Sequence, residues 1–540
     1  MVGSKSKIQN PKSKIPRRPV AVDLFAGAGG FSLGIEQAGF DVLVAVEYDP
    51  IHACTYAFNF PLTEVLCASA SHVTGEMIKQ AASRSWVAHR EEDGSGGQGR
   101  PVWTTGVGCG GQEEFPPSPP LSLPPSSSWD GQIDLVFGGP PCQGFSIMGK
   151  RELEDDRNSL IFHFYRLVIE LNPRYFVMEN VPGMAAGEHK NLLLQLVSKF
   201  EAAGYDVQKA ILNAADFGVP QKRQRLFVIG AQQELGVRRS QLRAGVPPVE
   251  QTGVEELEVK NFFGRLSGCH PKQNAVKVKD AIIDLPDIDN FPELVTSDEV
   301  LLSSTQLQQL QENSSPYVQM LRSHPSMEGQ GGQGGQGGKE GQTNKEEFAS
   351  SSPLTPSSPP SPHPPLSPSP FSIPNFSYPR LWNPQLLTSS MQTQHRESSK
   401  NRFAATLAGE LEPISRLRRL NSQGLCHTLR AGTDYNHGSH TSPRPIHPTL
   451  ARVISVREAA RLHSFPDWFR FHQTKWHGFR QVGNAVPPLL AQAIGAKIIA
   501  ALDCVPFAPQ QPLSLGDIQL LRFVPLKARD YWGVKHENLL

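Results

Sequence analysis

A cysteine in a short glycine- and proline-rich stretch is the first residue of this sequence whose setting indicates chemistry. Cys142 lies in Phe137-Gly-Gly-Pro-Pro-Cys-Gln-Gly-Phe-Ser146, directly after the apolar run Ile133–Phe137. Prolines fix the backbone before the thiol, and free backbone N–H groups after it favour the thiolate. Most cysteines in such a chain are inert core residues. A thiol on a loop at a strand end is instead placed to act as a nucleophile.

Three further polar residues flank apolar runs in the same part of the chain. Glu179 follows the run Tyr175–Met178, and Arg223 and Arg225 precede the run Leu226–Ile229. Residues two apart on a strand point the same way, so we expect both arginine side chains on one face. Taken singly, the acid resembles an ordinary helix cap and the arginines an ordinary basic surface strand. Together with Cys142, they would supply an acid and two cations beside a nucleophile.

A glycine-rich loop predicts a nucleotide-type cofactor. The stretch Asp23-Leu-Phe-Ala-Gly-Ala-Gly-Gly30 lies where a predicted strand ends and a helix begins, which is where open α/β sheets hold ligands. Ser32 stands where a dinucleotide fingerprint has glycine, which disfavours NAD and FAD. Glu47 comes about twenty residues after Gly27, where an acid can accept hydrogen bonds from ribose hydroxyls. The pattern favours an adenosine-containing cofactor without a pyrophosphate.

Hydrophobic periodicity predicts alternating strands and helices around this loop. We expect strands at Val20–Phe25, Val42–Val46, Ile133–Phe137, Tyr175–Met178 and Leu226–Ile229, and helices at Phe31–Ala38, Ser159–Leu171 and Leu489–Leu502. This order is typical of an α/β protein with a mostly parallel, doubly wound sheet. The last of these helices is expected to close the sheet that the first strands begin.

Composition limits the class of protein. The chain has 540 residues, is 38% hydrophobic and has a net charge of +1, so any basic surface must be local. Two stretches, at about 88–130 and 325–372, are rich in Gly, Pro and Ser and are predicted to be disordered insertions. We find no apolar run that predicts a membrane span or a leader, and expect a cytoplasmic protein.

Cysteine and histidine spacing does not favour a metal site or a disulfide framework. The seven cysteines are scattered and include no Cys-x-x-Cys pair. His437, His440 and His447 are loosely spaced among Ser and Pro. We therefore predict no bound metal.

Seven motifs in order resemble those of the bacterial DNA cytosine-C5 methyltransferase family. They are DLFAGAGGFS, VEYDP, GGPPCQGFS, MENVPG, QKRQR, ISVREAARLHSFPD (454–467) and QVGNAVPP (481–488). The likeness covers roughly residues 18–235 and 440–500, and agreement of seven motifs by chance is negligible. It implies a Rossmann-like, S-adenosylmethionine-dependent methyltransferase domain with a second, smaller and irregular target-recognition domain.

The resemblance gives each part of the chain an expected role. A basic tail (1–18) precedes a catalytic domain (19–235), a target-recognition domain (236–455), the last two motifs with the closing helix (456–505) and a C-terminal extension (506–540).

The resemblance also assigns the catalytic residues. The Cys142 thiolate would add to C6 of a flipped-out cytosine and activate C5 for methylation. Glu179 would hydrogen-bond or protonate N3. One of Arg223 and Arg225 would hold O2 and the other would support the cofactor side, an assignment that the sequence leaves open. S-adenosyl-L-homocysteine would be the product.

Cofactor and DNA contacts carry over by position. For the cofactor they are Phe25, Gly27, Gly29, Gly30, Glu47, Tyr48, Ser69, Pro141, Leu160 and Asn484, and for DNA they are Gln143, Ser146, Lys150 and Arg151. Ser69 departs from the family, which usually has an Asp there for the adenine amino group. A hydroxyl accepts that bond more weakly, by about 1 kcal/mol. Further DNA-contact candidates are Arg416–Arg419 and Thr428–Thr433, although a basic surface loop and a structural strand are equally good interpretations.

The predicted partner is double-stranded DNA, with no membrane partner and a monomeric protein. A companion restriction endonuclease and a solitary enzyme remain alternatives. So do a catalytically silent DNA-binding homologue, which the intact Cys142, Glu179, Arg223 and Arg225 argue against, and an RNA cytosine-C5 methyltransferase. The large region after Arg225 favours a reader of duplex DNA over an RNA enzyme.

Overall fold

The computed structural model describes residues 17–90, 129–141, 160–187, 189–233, 275–323, 374–432 and 444–534. Several predicted features lie outside the described residues: Cys142, Gln143, Ser146, Lys150, Arg151, His437, His440 and most of both predicted insertions. The described part of the site is therefore the edge of the fold from which the Cys142 loop departs.

A seven-stranded sheet forms the centre, with strand order β3-β2-β1-β4-β5-β8-β6. Its strands are β1 (Val20–Leu24), β2 (Asp41–Glu47), β3 (Glu64–Cys67), β4 (Leu135–Gly138), β5 (Tyr175–Asn180), β6 (Tyr205–Asn213) and β8 (Gln224–Gln232), with the short β7 (Gln221–Lys222) between the last two. All neighbours pair in parallel except β8, which is antiparallel to β5 and β6. The predicted doubly wound fold and its five strands are confirmed, whereas β3 and β6 were not predicted.

Helices cover both faces of the sheet. One face carries α1 (Gly30–Ala38) and the late helix α12 (Pro488–Ala501), and the other carries α3 (Gly75–Arg90), α4 (Leu160–Leu171) and α5 (His189–Ala202). Glycines bring α1 and α12 close together, because a Cβ at Gly34 would lie 2.3 Å from the Pro488 carbonyl oxygen. The predicted closing helix is therefore confirmed.

Two expectations from composition are corrected. The α3 helix continues through residues 88–90, where the first insertion was expected to begin, because His89 is buried and Arg90 stacks on the Trp86 ring. Arg18, assigned to the basic tail, is buried and donates to Asp41 Oδ1 at 2.6 Å and to the carbonyls of Phe376 and Phe507. Amino-acid composition therefore locates the boundary of an insertion or of a tail only to within a few residues.

One stretch, Lys475–Ala501, is long and apolar enough to cross a membrane by length and composition, contrary to the expectation that no such run exists. It consists of two helices, α11 (Lys475–Asn484) and α12, separated by residues 485–487. Of its most apolar window, 72% is buried inside the protein. The apolar character is accounted for by packing against α1 and the sheet.

Short elements with small cores of their own make up the described part of 275–455. The helices are α6 (Val278–Ile282), α7 (Ser304–Glu312), α8 (Pro316–Arg322) and α9 (Glu397–Ala405), and the strand pairs involve β9 (Val300–Leu301), β10 (Arg380–Leu381), β11 (Leu386–Leu387) and β12 (Cys426–His427). Buried arginines join this region to α10 (Val456–Arg461). Arg461 bonds Asp284 Oδ1 at 2.7 Å, and Arg457 bonds Thr388 Oγ1 at 2.7 Å.

The C-terminal extension packs against both the catalytic part of the fold and the region 275–455. Its strand β13 (Leu513–Ser514) pairs with β10, and its helix α13 (Pro525–Trp532) contacts α2 (Pro50–Asn59). The Trp532 indole N–H donates to Cys54 Sγ at 3.2 Å. The extension therefore backs the helix that follows Glu47.

Candidate active site

The sheet gathers the predicted site residues at one edge. Strands β1, β2, β4 and β5 all end there, and β8, running the opposite way, begins there. The strand order reverses between β1 and β4, which is where open α/β sheets form a ligand crevice. The loop after β1, Glu47 after β2, Pro141 after β4 and Glu179 on β5 consequently share this edge.

The loop after β1 has a backbone that few residues adopt. Phe25, Gly27 and Gly29 have φ values of 64°, 58° and 94°, in the left-handed region. Gly29 also has no room for a side chain, since a Cβ would lie 2.3 Å from the Phe60 ring. The Ser32 hydroxyl, which sequence reasoning used only to exclude a dinucleotide, donates to Asp23 Oδ2 at 2.6 Å and braces the first turn of α1.

Glu47 is bound into this loop. Its Oε2 accepts from the Gly27 N–H at 2.6 Å and its Oε1 from the Asp49 N–H at 2.8 Å. The carboxylate is buried, and burial raises its pKa above the usual value. A carboxylate has about four acceptor positions, so lone pairs remain for hydroxyl donors such as those of a ribose. Tyr48, the next residue, is exposed.

The remaining cofactor candidates lie on several other segments of the fold. Gly30 lies against the segment that contains Asn484, because a Cβ on Gly30 would lie 2.8 Å from the Val486 carbonyl oxygen. Ser69 follows β3 and shares a 2.7 Å hydrogen bond with the Ser71 hydroxyl. Leu160 begins α4 and is partly exposed. Pro141 is exposed and is the last described residue before Cys142.

Glu179 and Arg225 form an ion pair at the end of β5. Arg225 Nε lies 2.8 Å from Glu179 Oε1, and both side chains are mostly buried. Burial raises the Glu179 pKa, and the attraction of Arg225 and Arg223 offsets only part of that effect. The other carboxylate oxygen faces the β4 loop, 3.0 Å from the position of a Cβ on Gly139. A carboxyl group with a raised pKa therefore lies beside the loop that leads to Cys142.

Arg223 has a different setting from Arg225. It is fully buried and donates to the carbonyls of Leu429, Gly483 and Ala485 at 2.9, 2.9 and 3.0 Å. Burial and the neighbouring Arg225 lower its pKa to about 9. Sequence reasoning left open which arginine lies beside the base; the structure pairs Arg225 with the acid and uses Arg223 to tie the segment around Asn484 to the sheet edge.

Sequence reasoning missed two residues of the site. The Asn180 side-chain amide donates to the Pro140 carbonyl at 3.0 Å and so fixes the backbone two residues before Cys142. The Gln221 amide contacts His463 Nδ1 at 3.0 Å and accepts from the Leu429 N–H at 3.1 Å. Asn180 lies in the motif MENVPG and Gln221 in the motif QKRQR, but a neutral side chain in either motif does not by itself indicate a role. Within the described ranges no group of three or more His, Cys, Asp and Glu side chains could hold a metal ion.

The fold and the groups at this edge define a Rossmann-like methyltransferase. Residues 20–82 and 126–500 match the family of C-5 cytosine-specific DNA methylases, to which the chain belongs, and the protein is a DNA cytosine methyltransferase.

Two similar proteins can be aligned with about nine tenths or more of the chain. It is 40% identical to the type II methyltransferase M.XorII of Xanthomonas oryzae pv. oryzae, over 96% of this chain and 93% of that protein. It is 29% identical to the type II methyltransferase M.AgeI of Thalassovita gelatinovora, over 89% of this chain and 99% of that protein. Among solved structures it resembles a prophage-encoded E. coli protein assigned as a DNA modification methyltransferase, with 27% identity, a TM-score of 0.55 and coverage of 90% and 99% of the two chains.

Proposed function

We propose that the protein transfers a methyl group from S-adenosylmethionine to C5 of a flipped-out cytosine in a specific duplex DNA sequence, through a covalent bond between Cys142 and C6. The observation that carries the proposal is the Glu179–Arg225 pair, which lies beside the strand end leading to Cys142. Extruding the base costs a few kcal/mol, which protein contacts with the bound DNA must offset.

The residues at the cofactor edge fit S-adenosylmethionine. The Glu47 carboxylate keeps acceptor positions for ribose hydroxyls, and the left-handed loop after β1 lets a ligand approach the backbone. The Asn484 segment lies against Gly30 on the same side. When bound, the cofactor supplies an electrophilic methyl group on its sulfonium. The chain itself binds the ribose, orients the adenosine and limits access of water.

The base edge supplies the acid and the cation that the reaction needs. The thiolate of Cys142 forms a bond to C6, and the electron pair displaced onto the ring makes C5 nucleophilic. Glu179, with its raised pKa, donates a hydrogen bond or a proton to N3. Arg225 holds the O2 carbonyl. After methyl transfer, C5 loses its proton, the C5–C6 double bond re-forms and the thiolate of Cys142 departs.

Arg223 and the region after it are proposed to act by positioning. Arg223 donates to three backbone carbonyls next to the cofactor edge and is fully buried, so we assign it no contact with substrate. We assign target reading to residues 236–455 and closure over the base to the loop from Gln143 through Arg151. Since duplex DNA is the proposed substrate, we place the protein in the cytoplasm, associated with the nucleoid.

Two measurements test the proposal. Purified protein with methyl-labelled S-adenosylmethionine and mixed-sequence duplex DNA should label cytosine, and Cys142→Ser should not. Duplexes containing 5-fluorocytosine, which has no C5 proton to lose, should give a complex that survives denaturant with wild type but not with Cys142→Ser. Label in RNA alone contradicts the proposal in favour of an RNA enzyme, and DNA binding without label in either nucleic acid favours a silent homologue.

A further inference from the structure

Residues 409–419, called here the 409–419 hairpin, form a hairpin with an exposed turn in the region assigned to target reading. Its two arms are joined by backbone hydrogen bonds from Gly409 to Arg419 at 2.9 Å and from Glu412 to Leu417 at 2.8 Å. The Glu412 carboxylate is buried inside the turn and accepts from Arg402 Nε at 3.0 Å and from the backbone N–H groups of Ile414 and Ser415. The shape of the tip is therefore set before any partner binds.

The basic run in this hairpin divides into two structural arginines and one free arginine. Arg418 donates to the Gly409 carbonyl, and Arg419 donates to the carbonyls of Pro448 and Phe403. The Arg416 side chain is exposed and makes no hydrogen bond or ion pair within the described part of the chain. Of the Arg416–Arg419 run, Arg416 is the residue whose guanidinium is available to a partner.

The backbone of Arg416 is unusual for so large a residue. Its φ is 59°, in the left-handed region that glycine and asparagine adopt at lower cost. A strained residue at an exposed tip is a reason to look for a role of its side chain. Beside it, Ile414 is 71% exposed, and Leu407, just before the hairpin, is 74% exposed. The tip thus combines a long cation with an apolar side chain, as a surface that reads base edges requires.

The hairpin is joined closely to the catalytic edge. Six residues after Leu420, β12 pairs with β7, so Cys426 lies opposite Gln221 and Arg223 follows directly. Arg416 itself precedes Cys426 by ten residues, which reach at most about 35 Å, close to one turn of duplex DNA, about 34 Å. The chain therefore allows Arg416 to lie within about one helical turn of a target cytosine at the catalytic edge.

We propose that Arg416 is a specificity-determining residue. Its guanidinium donates to O6 and N7 of a guanine in the major groove, within one helical turn of the target cytosine, and Ile414 packs on the neighbouring base. The inference rests on the proposed duplex DNA substrate. Guanine is the partner because it presents two acceptors that match the two parallel donors of arginine.

The test uses the full-length protein and the duplex sequence that wild type methylates. Each guanine in that site is replaced in turn by 7-deazaguanine, which lacks the N7 acceptor. We expect wild type to lose about tenfold in kcat/KM at one guanine and little at the others. Arg416→Asn should lose about 10- to 100-fold on the unmodified site and should be insensitive to 7-deazaguanine at that position. The kcat/KM of Arg416→Lys on the unmodified site should lie between the values of wild type and Arg416→Asn.

Two controls separate reading from folding and from bulk charge. Asparagine tolerates the left-handed backbone, so Arg416→Asn should melt within about 4 °C of wild type. Lys209→Asn, which removes an exposed cation from the edge strand β6, should keep both rate and base preference.

Three results overturn the inference. They are an equal loss by Arg416→Asn on all sequences, as a phosphate contact would give; continued sensitivity of that variant to 7-deazaguanine; and a wild type that methylates DNA without preference for any guanine. The last result leaves the proposed function intact. A wild type that labels no DNA overturns both.

Discussion

Two glutamate–arginine pairs in the described part of the chain, Glu458–Arg452 and Glu179–Arg225, have opposite electrostatics. Glu458, on α10, receives two parallel N–H donors from Arg452 at 2.9 Å each and the Ser455 N–H at 2.6 Å. Although burial opposes ionisation, these contacts lower its pKa to about 2. Glu179 pairs with Arg225, whose Nε lies 2.8 Å from Glu179 Oε1, and burial raises the pKa of Glu179.

The difference separates an acid that stabilises the fold from an acid that can hold a proton. A carboxylate whose lone pairs are filled by donors stays ionised. One that is buried with fewer donors keeps the protonated form within reach, and a group that must donate to a ring nitrogen needs that form. The donors around each acid, rather than depth of burial, distinguish the two.

The largest expected effect is on the rate of Glu179→Gln. Glutamine keeps the shape but cannot carry the proton, so we expect kcat to fall about 10²- to 10⁴-fold. Single-turnover methylation of saturating DNA measures this. A normal rate in Glu179→Gln would contradict the role of Glu179 as a proton donor and so the contrast with Glu458.

The matched change, Glu458→Gln, should act on stability. It leaves the buried Arg452 charge without its main partner, and we expect the free energy of unfolding to fall by about 3–5 kcal/mol. Denaturant unfolding followed by circular dichroism measures the loss. Glu179→Gln should lose clearly less in the same experiment; equal losses would mean that both pairs are structural.

The pH dependence should also differ between the two acids. The folded pKa of Glu458 is depressed, so its stabilisation is present above the unfolded pKa, near 4.5, and is lost as pH falls toward 2. It amounts to at most about 3 kcal/mol. Glu458→Gln should lack this part of the acid limb of an unfolding profile.

Glu179 should instead shape the rate profile. Its pKa is raised, and the protonated form is the donor, so kcat should fall as pH rises through that pKa. Single-turnover rates across the pH range measure this fall, and the dependence should be absent in Glu179→Gln. A wild-type rate that rises over the same pH range would contradict the role of Glu179 as the donor.

The smallest expected effect is a change in the affinity for S-adenosylmethionine at Ser69. Ser69→Asp places at this position the acid that the family resemblance predicts for the adenine amino group, and it should tighten S-adenosylmethionine binding by about 1 kcal/mol, or fivefold. Isothermal titration calorimetry measures it without turnover. Ser71→Asp, two residues further along, should give no gain; if both variants tighten binding equally, bulk charge is the cause.

The sequence predicted the centre of the fold because its strands are continuously apolar. Strands β1, β2, β4, β5 and β8 are mostly buried on both faces, and such runs are visible without a structure. By contrast, β3 has four residues and β6 mixes buried with exposed positions at the sheet edge. A short strand and a half-exposed edge strand give weak periodic signals.

Site residues followed a similar rule. Glu47, Glu179 and Arg225 lie in charged motifs at strand ends, where topology alone brings them together. The separate settings of Arg223 and Arg225 depend on contacts with residues 429 and 483–485, which are over 200 residues away in the chain. No local pattern contains that information.

The late position of α12 in the chain has a consequence for synthesis. One face of the central sheet is covered by α1 together with residues 488–501. The buried Arg18 likewise donates to a carbonyl late in the chain, that of Phe507. A ribosome releases the N-terminal strands long before these partners emerge, so this apolar face stays exposed on the nascent chain until residues 488–507 have been synthesised. This face is therefore the apolar surface that chaperones would have to shield for the longest time. Products truncated before residue 488 would be prone to aggregate.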